Sequence, residues 1–180
     1  SYRRWLDPLL RDENDKAAMN SRQKLHTSIA LLPVDSTQVD FLHDRLLVAT
    51  PHEVPVIRDA LFRHKDSLVA KLWAVAETPE KGKESQRLRA ASALATYDRE
   101  NPRWDKAGAV VVDDLVRENP VFLGQWSESF RPVRNRLLPS LAVVFRDRQA
   151  ERTAERSLAT NILADYAADR PLLDLRQYFS

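Results

Sequence analysis

Displaced by 69 residues, the chain falls onto itself. Leu46 meets Leu115, Thr50-Pro51 meets Asn119-Pro120, and Val54 meets Leu123. Ile57 meets Trp126, Leu61 meets Phe130, Leu68 meets Leu137, Leu72 meets Leu141 and Val75 meets Val144. The same displacement carries Arg87 onto Arg156, Ala90 onto Ala159, Leu94 onto Leu163 and Tyr97 onto Tyr166. A displacement of 63 relates the earlier part: Leu25 to Leu88, Ala30 to Ala93, Leu31 to Leu94 and Asp35 to Asp98, with Trp5 on Leu68 and Leu9 on Leu72. The six-residue difference is an insertion after Asp98, in Arg99-Glu100-Asn101-Pro102. A unit that recurs at such a period cannot bury its apolar face alone; stacked neighbours bury a continuous core.

The matched positions are apolar or mark helix boundaries, so what recurs is structure. Residues 1–180 read as one helical-repeat segment: a partial unit over 1–20, full units over 21–83 and 84–152, and a partial unit over 153–180. Beginning and ending within a unit, the segment reads as part of a longer array.

Each full unit reads as four helices, or two helix hairpins. In the first, 22–32 carries Leu25, Ile29 and Leu32 on one helical face, and Pro33 stops it. Asp35-Ser36-Thr37-Gln38 has the pattern of a capping box and opens a helix with Val39, Leu42, Leu46 and Leu47 on its apolar side. Thr50-Pro51-His52-Glu53 repeats the logic, with Pro at the first helical position. The helix it opens bears Val54, Ile57 and Leu61, and a fourth runs over 65–77. The second unit predicts helices over 84–97, 102–118, 120–130 and 134–146; two more cover 150–167 and 171–178. Pro55 and Pro139 each predict a kink or a later helix start. The fold expected is all-α: an antiparallel helical-repeat solenoid of HEAT-like type, an α-α superhelix of about ten helices.

Composition agrees. The chain is 43% hydrophobic and 30% charged, enough apolar matter to fold, with 3 Gly against 10 Pro and a predominance of helix formers. The one β-like run, Ala109-Val110-Val111-Val112, lies inside a helical pattern and reads as helix.

Several chemistries are excluded or unsupported. With no Cys, there are no disulfides, thiolate metal sites or Cys nucleophiles. No apolar run approaches the roughly 20 residues that span a bilayer, and Ser1-Tyr2-Arg3-Arg4-Trp5 is no signal peptide. A cytoplasmic setting is expected, with no membrane contact. His26, His43, His52 and His64 form no metal-ligand spacing, so no metal is expected. Asp113 and Asp114 are adjacent and point about 100° apart on a helix, which reads as surface charge. Asp165, Tyr166 and Arg170 read as a helix-end network. Ser140 has no base beside it, and Lys81-Gly82-Lys83 reads as a solvated loop. No cofactor site is predicted. Trp5, Trp73, Trp104 and Trp126 fall on apolar phases and are assigned to the core.

One polar position recurs: Lys24, Arg87 and Arg156 occupy equivalent places in the first helix of successive units. Two readings stand. The cations form a strip that binds a partner, with Arg89 beside them; or they form a ladder inside the array, their stems along the helices and their heads on Asp35, Asp98 or loop-end carbonyls.

Certain segments carry a family resemblance. These are 22–26, 30–35, 86–91, 113–116, 142–147 and 155–160, the run Pro51-His52-Glu53-Val54-Pro55 continuing to Leu61, and the run Leu163-Ala164-Asp165-Tyr166 continuing to Pro171. They resemble the helical-repeat region of large bacterial serine/threonine protein kinases, in which that region is fused to the kinase domain and often to a formylglycine-generating-enzyme-like (sulfatase-modifying-factor) domain. The resemblance covers nearly the whole chain. Neither catalytic domain is present: there is no Gly-rich loop with its Val-Ala-x-Lys strand, no His-Arg-Asp loop and no Asp-Phe-Gly. The resemblance therefore implies a kinase-linked protein of which this segment is not the enzyme.

The expected function is a non-catalytic scaffold or regulatory module that binds a protein partner or another domain of the same polypeptide. The alternative is nucleic-acid binding by a basic concave face, to which Lys24, Arg87, Arg89, Arg152 and Arg156 could contribute. The net charge of only +2 weighs against strong affinity of that kind.

Overall fold

The computed structural model describes residues 3–168, with side chains from Asp7 onward. The expected helix over 171–178, Arg170 and the Trp5 side chain lie outside the described residues. The helices are α1 (Arg3–Lys16), α2 (Arg22–Leu31), α3 (Gln38–Val48), α4 (Glu53–Leu61), α5 (Lys65–Glu77), α6 (Gln86–Tyr97), α7 (Trp104–Leu115), α8 (Leu123–Phe130), α9 (Arg134–Arg146) and α10 (Thr153–Ala168). No strand occurs among the described residues, and the β-like Val run lies in α7. None of these helices is long and apolar enough to cross a membrane.

The expectation of separate third and fourth helices in each unit is corrected. α4 passes into α5 through a 3-10 turn at Phe62–His64, and α8 passes into α9 through another at Arg131–Val133. The described residues thus form eight continuous helical stretches, not about ten. No extended residue or glycine interrupts either joint, so the backbone only tightens there. The two joints lie 69 residues apart and share their backbone angles. Leu61 and Phe130 have ψ of −5° and −2°, and His64 and Val133 have φ, ψ of −104°, 7° and −113°, 13°.

Pro55 fits without a kink because it sits in the first turn of α4, where no backbone N–H is needed. Pro139 lies inside α9, and the helix continues past it. Asp35 begins α3 through its side chain: its carboxylate accepts from the Thr37 N–H and hydroxyl, with Gln38 at 3.4 Å. At α4 the Glu53 carboxylate reaches back to the Thr50 N–H at 3.0 Å and pairs with Arg45 at 2.9 Å.

Packing recurs in part. α1 lies against α2, α5 against α6, and α9 against α10; α4 meets α6 as α8 meets α10. The second full unit departs from the first at its second helix. α3 packs on α2, α4 and α6, whereas its counterpart α7 makes its principal contact with α9. Gly108 permits this approach, for a Cβ there would stand 3.1 Å from the Arg136 carbonyl oxygen.

A single apolar cluster extends from Leu25 to Tyr166. Trp73, Trp104 and Trp126 are fully buried within it. Leu9 does not follow the pattern of its counterparts Leu72 and Leu141: it is 63% exposed while they are buried. α1 is covered chiefly from the α2 side, which leaves Leu9 on a less covered face.

The repeat also extends to a polar contact. The Tyr97 hydroxyl donates to the Arg58 carbonyl at 2.6 Å, and the Tyr166 hydroxyl donates to the Ser127 carbonyl at 3.0 Å. Donor and acceptor are both displaced by 69 residues.

Candidate functional site

The recurring cations reach back to helix ends. The last turn of a helix leaves carbonyls without intrahelical partners, and its dipole favours positive charge there. Lys24 Nζ donates to the Asn14 carbonyl at 2.9 Å and to Asn14 Oδ1 at 2.8 Å, at the end of α1. Asn14 is itself buried, and its amide donates to Thr27 and Ser28 of α2. Arg87 Nε donates to the Ala76 carbonyl at 3.0 Å, at the end of α5, and its Nη1 pairs with Asp114 of α7 at 2.6 Å. Arg156 Nη1 donates to the Asp147 carbonyl at 2.9 Å, just past α9. Arg89 donates to the carbonyls of Ala49 and Ser85, both at 2.7 Å, and its guanidinium lies 5.9 Å from the centre of the Trp126 ring. Burial pushes the Arg89 pKa below its ordinary value, against the opposing charge of Glu118.

The heads of Lys24, Arg87 and Arg156 thus sit on carbonyls at loop ends, as in the ladder reading. Asp35 and Asp98 take other donors. Asp35 pairs with Arg11 at 2.7 Å. Asp98 accepts the Trp73 indole N–H at 2.8 Å and the Asn101 amide at 2.7 Å, while its carbonyl accepts the Trp104 indole N–H at 3.1 Å. Asp98 therefore joins two tryptophans whose rings meet edge to face, 5.2 Å between centres. The repeat marked Asp98 only as an equivalent of Asp35. An acidic residue between two indoles that both need an acceptor when buried was the available signal.

Asp113 and Asp114 do diverge: Asp114 meets Arg87, and Asp113 meets Arg117 at 2.6 Å and Arg152 at 3.3 Å. The reading of both as surface charge is too simple, because Asp114 closes a half-buried pair. Asp165 and Tyr166 belong to a network with Ser127 and Arg131. Asp165 accepts from the Ser127 hydroxyl and from Arg131, whose guanidinium also lies 5.9 Å from the centre of the Tyr166 ring. Glu128 first, then Asp165, raises the Arg131 pKa.

Among the histidines, His43 is buried with Nδ1 on Asp44 and, among the described residues, no partner for Nε2. His52 bonds Gln125 and packs edge-on against Phe122. Among the described residues no group of three or more His, Cys, Asp or Glu is placed to hold a metal ion.

Two concavities stand out. One of about 740 Å³ lies among α4, α6, α8 and α9, walled by residues including Arg58, Thr96, Gln125 and Glu128. The other, of about 590 Å³, is lined among the described residues by Phe145, Arg146, Arg148 and Arg156 at the junction of α9 and α10. Of the four cations singled out in the sequence, Arg156 alone lines either one. Comparison with known proteins finds no matching family, no matching curated protein and no matching solved structure.

Proposed function

We propose that this chain is a non-catalytic helical-repeat scaffold, a HEAT-like solenoid segment that binds a protein partner or another domain of its own polypeptide. Its resemblance to the repeat region of bacterial serine/threonine kinases makes a larger, kinase-related cytoplasmic protein the setting for this reading. One observation carries the proposal: the 3-10 joints and the tyrosine-to-carbonyl bonds both recur at a spacing of 69 residues. Elements that recur in backbone angle and in hydrogen bonding stack by a repeated operation, and stacked helix pairs present extended surfaces suited to protein partners.

The nucleic-acid alternative draws on Lys24, Arg87, Arg89, Arg152 and Arg156. Four of them donate to backbone carbonyls of their own fold and Arg152 pairs with Asp113 and Asp147, which favours the protein reading. The test has three arms on the purified chain. Crosslinking in cells identifies the contacted segment, whose affinity is then measured with both components pure. Duplex DNA is titrated at low salt, and phosphotransfer from ATP is assayed. The proposal expects saturable binding of the identified segment. Tight, salt-dependent DNA binding overturns it, as does phosphotransfer by the chain itself.

A further inference from the structure

We draw no further inference here: the strongest candidate, the apolar groove of about 400 Å³ between α7 and α9 where Val110 and Val143 stand exposed, carries nothing because nothing in the structure shows what covers it.

Discussion

The Tyr166 hydroxyl donates to the Ser127 carbonyl at 3.0 Å, linking α10 to α8 across the core. Tyr97 does the same to Arg58 at 2.6 Å, linking α6 to α4. Burial raises the pKa of both phenols, so both stay protonated donors at neutral pH. Removing either hydroxyl leaves a carbonyl short of a partner. Tyr166→Phe and Tyr97→Phe should each lower stability by about 1 kcal/mol, the usual worth of such a bond. Urea unfolding of the two variants checks this. Costs that differ widely between the two would show that the recurring contacts are not equivalent.

Trp126 occupies the position of Ile57 in the preceding unit and is fully buried, stacked on Phe130 at 6.4 Å between ring centres. Trp126→Ala should cost about 3–5 kcal/mol, as expected for truncating a large buried side chain. For a domain of this size that is on the order of 10 °C in melting temperature. A calorimetric shift of only a few degrees would place Trp126 outside the cooperative core.

Two helical glycines should respond in opposite directions. At Gly108 an added Cβ stands 3.1 Å from the Arg136 carbonyl oxygen and 3.5 Å from Leu137, so Gly108→Val must push α7 from α9. A loss of about 1–3 kcal/mol is expected, the range for overpacking. At Gly124 a Cβ meets nothing within 4 Å, and Gly124→Ala should gain about 0.5–1 kcal/mol from restricting the unfolded chain. Parallel chemical denaturation distinguishes the two, and a stabilised Gly108→Val would contradict the tight α7–α9 approach.

Asp35 gives the fold a defined acid response. The Thr37 hydroxyl, against opposing desolvation, then the Thr37 N–H, Arg11 and Gln38 hold its pKa at about 2, below the ordinary 3.8. A carboxyl depressed on folding adds stability that is complete above its unfolded pKa and is lost as pH falls through the folded one. Asp35→Asn should therefore be less stable than the parent at neutral pH, with the gap closing between about pH 4 and pH 2. Stability curves over that range test it; a gap independent of pH would mean that the charge on Asp35 plays no part.

Much of this architecture is legible in the sequence because its determinants are local. The 69-residue displacement locates the joints at Leu61 and Phe130, and the apolar phases identify Trp73, Trp104 and Trp126 as core. Pro51 and Pro120 mark helix starts because proline lacks the N–H that a first turn does not use. The turn between α4 and α5 escapes such reading. Phe62-Arg63-His64 contains no breaker, and a 3-10 joint differs from a loop only in backbone angles set by the helices on either side.

The recurrence of a cation at Lys24, Arg87 and Arg156 is likewise a property of the sequence, as is the burial of the indoles. What each group touches is not. Asp98 meets Trp73 from 25 residues away, Arg87 meets Asp114 from 27, and Asp165 meets Arg131 from 34. Side chains long enough to reach several partners choose among them by how the helices pack. α7 packs against α9 where its counterpart α3 packs against α6, so equivalent residues acquire different neighbours. Sequence by itself determined helices of a given period and a cation at each repeat. Only the tertiary structure decided that Arg87 closes on the Asp114 carboxylate, because the anion comes from a helix distant along the chain.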